Sequence, residues 1–165
     1  MLTRTLLESY VGQPIKNICP HGYDAGSDNH CAHFVAHVLQ LDFGLTCAGM
    51  KGHRGFGGAN IRVAELFSRC PLLQEVIACP TTGEGIIFVS APSSFKNAPV
   101  QIANVSKKHV GLVMNGVVWH YSNKRHRVEN EPVSEFLFHY PTQQNALWWG
   151  GFPSGARPTN FATSS

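Results

Sequence analysis

The stretch that decides the fold runs from Ser27 to Leu39 and reads SDNHCAHFVAHVL. From Cys31 onward its apolar residues recur at intervals of three and four positions, the spacing of an amphipathic helix with one buried face. The short polar side chains at 27–29 can accept hydrogen bonds from the free amides of a first helical turn. The sequence therefore predicts a helix that begins within residues 27–29 and carries Cys31 in its first turn.

Cys31 occupies a position where a helix favours negative charge. The free N–H groups and the positive end of the helix dipole should lower the pKa of its thiol from the reference value of about 8.5. A thiolate is a competent nucleophile, so the position is typical of a catalytic cysteine. The alternative is that Cys31 is a small hydrophobic residue at the edge of the core, the more common role of a lone cysteine.

A second stretch, residues 108–121, contains the groups that could activate a thiol. It reads KHVGLVMNGVVWHY, in which two β-rich runs flank Asn115-Gly116, a strong hairpin signal. In the hairpin, His109 and His120 lie on neighbouring strands one diagonal step apart, about 7 Å. Cys31, His109 and His120 therefore form a candidate set of nucleophile, base and orienting group.

These pieces, in this order, resemble the NlpC-type cell-wall peptidases, a papain-like family of cysteine hydrolases. That family has an aspartate and Cys-Ser-Gly-Phe-Val, a Gly-Asp-Leu-Val-Phe-Phe-like strand, His-Val-Gly-Ile opening a later strand, and then a second polar residue, often His. The corresponding pieces here are Asp28, Cys31-Ala32-His33-Phe34-Val35, residues 83–89, His109-Val110-Gly111-Leu112 and His120.

The chain departs from the family pattern near the cysteine. Asn29 and His30 intervene between Asp28 and Cys31, Ala32-His33 replaces Ser-Gly, and the gap to the first histidine of the hairpin is longer than usual. The resemblance covers roughly residues 25 to 125 and names no particular scissile bond.

The resemblance implies an α+β, papain-like NlpC-type fold, with amino-terminal helices packed on an antiparallel sheet. In the expected mechanism Cys31 attacks an amide carbonyl to form a thioester, His109 takes the thiol proton and His120 fixes the imidazole. The backbone N–H of Cys31 would help to stabilise the oxyanion. Candidate substrate contacts are Tyr23, Asp28 and Trp119.

The implied function is hydrolysis of an amide in the peptide stem or cross-link of peptidoglycan. The small size and the lack of a signal peptide suggest an antibacterial type VI secretion effector or a phage lysis enzyme, made in the cytoplasm and delivered to a periplasm or secreted. A cognate immunity protein is a candidate partner. Three alternatives stay open: a non-catalytic wall-binding module, an acyltransferase with the same Cys-His site, and a metal-dependent hydrolase using helical histidines.

Composition narrows the class of protein. The 165 residues, 43% hydrophobic and 14% charged, predict one catalytic domain over 1–152 and a loose tail over 153–165. The net charge of +3 permits attraction to an anionic wall, while Lys124-Arg125-His126-Arg127 is too short a basic run to indicate nucleic-acid binding. No signal peptide or membrane-spanning segment is predicted.

The remaining cysteines and histidines predict neither a metal nor a cofactor. The five cysteines include no Cys-x-x-Cys pair, which argues against structural zinc, and Cys19, Cys47, Cys70 and Cys79 could pair as disulfides in an oxidising compartment. Their pairing stays open. The spacing of His30, His33 and His37 could suit a metal, but these residues centre about 135° from the apolar stripe, which favours a surface histidine stripe.

Further elements follow from local patterns. We expect an amino-terminal helix within 1–13, a loop over 14–26, a glycine-rich loop over 44–58 and a helix over 60–69. A strand is expected over 83–89, a short strand within 100–105, a short helix within 129–140 entered near Pro132, and a final strand at 146–149.

Overall fold

The computed structural model describes residues 1–53, 57–77 and 83–158. The helices in these ranges are α1 (Arg4–Tyr10), α2 (Ile15–Ile18), α3 (Cys31–Leu39), α4 (Cys47–Met50), α5 (Val63–Arg69) and α6 (Val133–Phe136). The strands are β1 (Gln74–Glu75), β2 (Glu84–Ser90), β3 (Phe95–Asn97), β4 (Val100–Ile102), β5 (Lys108–Met114), β6 (Val117–Ser122), β7 (Arg127–Pro132) and β8 (Ala146–Gly150).

Six of the strands form one antiparallel sheet in the order β1-β8-β2-β5-β6-β7, and β3 pairs with β4 as a separate hairpin. The long strands β2 and β5 lie at its centre, paired from Glu84 with Met114 to Ser90 with Lys108. The predicted mixture of helices and an antiparallel sheet is therefore confirmed.

The β5–β6 hairpin forms as its turn chemistry predicts. Asn115 and Gly116 adopt positive φ angles of 49° and 79°, which a two-residue turn of this kind requires. Met114 pairs with Val117 across the turn, and the described ladder runs back to Leu112 and Trp119. The hairpin thereby carries His109 and His120 toward its open end on adjacent strands.

Helix α3 is buried on nearly every side, not on one face as predicted. It packs against β5 and β6, and each of its residues except His37 is buried. The predicted surface histidine stripe is wrong, because His30 and His33 are 1% and 0% exposed. Both rings pack against Tyr23, which lies in the segment before the helix and covers this side.

The sheet has apolar side chains on both faces because residues alternate along each strand. The face toward α3 carries Val110, Leu112, Trp119 and Tyr121, and these belong to the larger hydrophobic core. The opposite face packs against α6 in a smaller cluster of Ile87, Val89, Val113, Val118, Val133, Phe136 and Leu147.

Other local predictions are confirmed with changes in length. The amino-terminal helix, the strand near 83–89, the helix near 60–69 and the final strand are present, while short helices α2 and α4 interrupt the predicted loops. The short helix predicted within 129–140 is α6, which begins at Val133 directly after Pro132 as expected, and strand β7, which was not predicted, precedes it. Cys79 and part of the predicted tail, residues 159–165, lie outside the described residues.

Within the described ranges, no helix has the length and apolar character needed to cross a membrane.

Candidate active site

Three side chains on the adjacent strands β5, β6 and β7 lie in a chain of polar contacts at the open end of the hairpin. Nε2 of His109 lies 3.0 Å from Nδ1 of His120, and Nε2 of His120 lies 3.2 Å from Oε1 of Glu131. His109 and His120 are 1% and 4% exposed. We call this set the His109–His120–Glu131 chain.

The carboxylate fixes the proton positions along this chain. A carboxylate can only accept a hydrogen bond, so when the His120 ring is uncharged its Nε2 carries the hydrogen and its Nδ1 accepts. Nε2 of His109 must then donate to His120. This leaves Nδ1 of His109 with its lone pair free, and that buried atom has no hydrogen-bond partner. A neutral imidazole with a free lone pair is the form that a general base requires.

Glu131 was not predicted from the sequence. The Arg127–Pro132 segment lacks the alternating apolar residues of a typical half-buried strand, and β7 was therefore not expected. In the sheet, Val118 pairs with Glu131 and His120 pairs with Glu129, so Glu131 is one diagonal step from His120. A correct register for β7 would have identified Glu131.

Cys31 lies against the strand that carries the candidate base. The backbone N–H groups of Val110, Ala32 and Cys31 face its sulfur, and Val110 follows His109 directly in the chain. The hydrogen bonds of the described residues include none between the Cys31 thiol and the His109 ring. Cys31 belongs to the core on the α3 face of the sheet, whereas the rings of His109 and His120 pack on Phe136 at the opposite face. The cysteine and the candidate base therefore lie on the two sides of β5, without a hydrogen bond between them.

The predicted lowering of the Cys31 pKa is wrong. Cys31 is 0% exposed. Burial raises the pKa of its thiol to about 12, outweighing the opposite effect of the surrounding amides. Burial also lowers the pKa of His109 well below its ordinary value, with smaller contributions from His139 and His120. Both the thiol of Cys31 and the imidazole of His109 are therefore neutral in the resting protein.

Helix α3 begins later than predicted, at Cys31 itself, with His30 as the residue before it. The backbone N–H of Cys31 donates to Oδ1 of Asn29 at 3.0 Å. That amide is already engaged, which argues against the oxyanion role expected for it. Asn123, at the end of β6, holds this turn by accepting from the His30 amide at 2.9 Å and donating to Oδ1 of Asn29 at 3.0 Å.

His139, also missed from the sequence, covers His109. The two rings are stacked, with centroids 3.8 Å apart and planes 10° apart, and Phe136 packs beside both. Ring nitrogens bind metals through lone pairs in the ring plane, so parallel stacked rings cannot both direct a lone pair at one ion. Although His109, His120 and His139 lie close together, their arrangement does not fit a shared metal.

None of the contacts described for the three predicted substrate-binding residues involves the His109 ring. Tyr23 packs edge-on against His30 and His33, and the nearby Asp28 helps burial to raise its pKa. Trp119 is 0% exposed, on the sheet face that meets α3, and its indole N–H has no hydrogen-bond partner. In this conformation Trp119 is a core residue.

A second cluster of ionisable groups lies beside helix α3, at His33 and His37. It consists of Cys19, His33, His37 and Cys47, with one donor atom of each within 4.8 Å of the others. These residues come from the end of α2, from α3 and from the start of α4. Their separation along the chain explains why short motif spacings do not reveal them.

Comparison of the chain with protein-family models, with curated proteins and with solved structures finds no match.

Proposed function

We propose that the protein is a cysteine hydrolase that cleaves an amide in the peptide part of bacterial cell wall. The observation that carries the proposal is the free Nδ1 of His109. This buried nitrogen has no partner, its lone pair is fixed by the His109–His120–Glu131 chain, and it belongs to the residue before Val110, whose amide faces the Cys31 sulfur. A thiol, an imidazole and a carboxylate, the residue types that nucleophilic catalysis uses, thus lie on the two sides of strand β5, and catalysis requires a rearrangement that brings the thiol and the imidazole together.

In the proposed acylation step, the sulfur of Cys31 bonds to the amide carbon as its proton passes to Nδ1 of His109. The carbonyl π electrons move to oxygen and form a tetrahedral oxyanion. The oxyanion collapses to a thioester, the carbon–nitrogen bond breaks, and the amine leaves with the proton from His109. Water then attacks the thioester with His109 as base, releasing a carboxylic acid and the free thiol.

Glu131 acts on this reaction through His120. When His109 takes the proton it becomes a buried cation, and a carboxylate at the other end of the chain stabilises that charge. The same carboxylate keeps the two imidazoles in the tautomers that leave Nδ1 of His109 free to accept. His120 and Glu131 are therefore positioning residues, while Cys31 and His109 are the catalytic residues.

The buried resting state imposes a condition on catalysis. Since Cys31 and His109 are 0% and 1% exposed, a substrate carbonyl reaches the sulfur only after neighbouring side chains move. Tyr140 lies within electrostatic reach of Cys31. Burial raises the pKa of its phenol, and the charge of a Cys31 thiolate raises it further.

Peptidoglycan is proposed as the substrate on the strength of the resemblance to NlpC-type peptidases. The net charge of +3 agrees with binding to an anionic wall. By the same resemblance we propose delivery to a target-cell periplasm as an antibacterial effector, or action as a lysis enzyme, with a cognate immunity protein as the partner in the first case.

The test is digestion of purified peptidoglycan followed by mass spectrometry of the released fragments in ¹⁸O-labelled water. The proposal predicts fragments with one new amine and one new carboxylate, the latter carrying ¹⁸O. Fragments linked to an added amine without ¹⁸O would identify acyl transfer instead of hydrolysis. An intact wall after incubation with folded protein would contradict the proposal.

A second candidate function, a wall-binding module without catalysis, is favoured by one observation, the complete burial of Cys31. It predicts that the protein sediments with peptidoglycan and releases nothing. In that case the wild type and Cys31→Ala would both bind the wall and release nothing. The hydrolase instead predicts that both bind and that only the wild type releases fragments.

A further inference from the structure

We propose that Cys19, His33, His37 and Cys47 bind one Zn²⁺ ion as a closed structural site that holds the segment before Cys31 against helix α3. One donor atom of each residue lies within 4.8 Å of the other three. This proposal does not depend on the proposed hydrolase activity, because none of the four residues belongs to the His109–His120–Glu131 chain.

Two distances in the cluster are close to those between the ligand atoms of a tetrahedral site. Nε2 of His33 lies 3.0 Å from Nε2 of His37, which lies 3.7 Å from Sγ of Cys47. With Zn–N bonds of about 2.0–2.1 Å and Zn–S bonds of about 2.3 Å, tetrahedral ligand atoms are about 3.3–3.8 Å apart. Small side-chain adjustments would bring all four donors to one ion.

A hydrogen-bond chain behind His33 directs its lone pair into the cluster. The carbonyl of Ala25 can only accept, so Nε2 of His30, 2.8 Å away, carries the hydrogen, and in the uncharged ring Nδ1 is the acceptor. Nδ1 of His30 then accepts from Nδ1 of His33 at 3.1 Å, which leaves the lone pair of His33 on Nε2. Ligating histidines commonly donate their second ring N–H to such an outer partner, which fixes their tautomer.

The charge and burial of the cluster also fit a divalent cation. Cys19, His33 and Cys47 are 4%, 0% and 0% exposed, and His37 is half-buried. Two thiolates and one Zn²⁺ ion sum to zero charge, so the loaded site carries no net buried charge. The N–H of Ala59 donates to Sγ of Cys47 at 3.3 Å and can stabilise a thiolate there. A mixed set of thiolates and imidazoles favours zinc over hard cations.

A site with four protein ligands has no open position for water or substrate, so its role is structural. It joins the end of α2, the middle of α3 and the start of α4. Cys31 is the first residue of α3, and His30 immediately before it belongs to the hydrogen-bond chain of the site. Zinc would therefore fix the turn at which α3 begins with Cys31.

The experiment measures zinc in the whole protein purified under reducing conditions. Elemental analysis should give one zinc per chain, and X-ray absorption should give two sulfur ligands at about 2.3 Å and two nitrogen ligands at about 2.0–2.1 Å. Substituting cobalt should produce the visible bands of a tetrahedral ion with thiolate ligands. These measurements use the wild type and do not depend on any variant folding.

Variants test which of the four side chains bind zinc. His37 is the most exposed of the four, so His37→Gln should fold but lose most of the bound zinc, while His37→Cys, which keeps a donor, should retain it. Cys70→Ser is the matched control, since Cys70 is a buried free cysteine outside the cluster. A strong chelator should lower the melting temperature of the wild type and of Cys70→Ser, and change that of His37→Gln much less.

Three results would overturn the proposal. The first is a folded, reduced wild type that takes up neither zinc nor cobalt. The second is equal zinc content in the wild type and His37→Gln. The third is a Cys19–Cys47 disulfide in protein isolated without an oxidant, because the two thiols would then be unavailable as ligands.

Discussion

Replacing Glu131 by Gln tests the His109–His120–Glu131 chain. Gln can still accept the hydrogen bond from His120 with its amide oxygen, so the change removes the negative charge while keeping a similar shape. The carboxylate lies 3.2 Å from Nε2 of His120, and a further hydrogen bond of 3.0 Å joins His120 to His109. The charge therefore acts on protonated His109 across one imidazole ring.

The magnitude follows from that separation. Over about 7 Å and at an effective dielectric constant of about 20, a unit charge stabilises another by about 2 kcal/mol. The Glu131 side chain is 26% exposed, and water screens part of the interaction. A remaining loss of about 1–2 kcal/mol in the transition state corresponds to a decrease in kcat/KM of about 5- to 30-fold.

The assay is the initial rate of amine release from purified peptidoglycan. Glu129→Gln is the matched control, because Glu129 lies on the same strand but pairs with Arg125 and Arg127. We expect Glu129→Gln to keep nearly the wild-type rate. If Glu131→Gln were as active as the wild type, or if both variants lost the same activity, the argument that Glu131 acts through His120 would be refuted.

Three further predictions concern pH and packing. Because burial lowers the pKa of His109 and raises that of Cys31 to about 12, kcat/KM should stay flat as the pH falls through about 6.5; a bell centred near neutrality would indicate a thiolate–imidazolium pair. Burial also lowers the pKa of His139 to about 4, so the unfolded chain binds more protons between about pH 6.5 and 4. The melting temperature should therefore fall across this window, and fall less in His139→Gln; equal falls would contradict the assignment. A Cβ at Gly111 would lie 2.6 Å from Cγ1 of Val118, so Gly111→Ala should lower the free energy of unfolding by about 1–3 kcal/mol in urea titration, and an unchanged midpoint would contradict this packing.

Local sequence predicted the elements that have local causes. The Asn115-Gly116 turn requires positive φ angles at both residues, and this fixed the register that carries His109 and His120 on adjacent strands. The spacing of apolar residues after Cys31 likewise predicted a helix, and α3 is present. In both cases the signal and the structure lie within a few residues of each other.

The features that the sequence did not predict depend on packing between segments that are far apart in the chain. The pKa of Cys31 is set by the side chains that bury it, an effect larger than the helix-end effect that sequence position suggests. Glu131 meets His120 only because β7 pairs with β6 in one register. Cys19 and Cys47 approach the α3 histidines only after α2 and α4 have packed beside that helix.

The central claim is that Cys31 is the nucleophile and His109 its base. The most direct measurement compares fragment release from purified peptidoglycan by the wild type, Cys31→Ala and His109→Gln, with Cys70→Ser as the control for losing a buried thiol. The account predicts release by the wild type and by Cys70→Ser, and no release by Cys31→Ala or His109→Gln when circular dichroism shows them folded. Release by folded Cys31→Ala at the wild-type rate would contradict it.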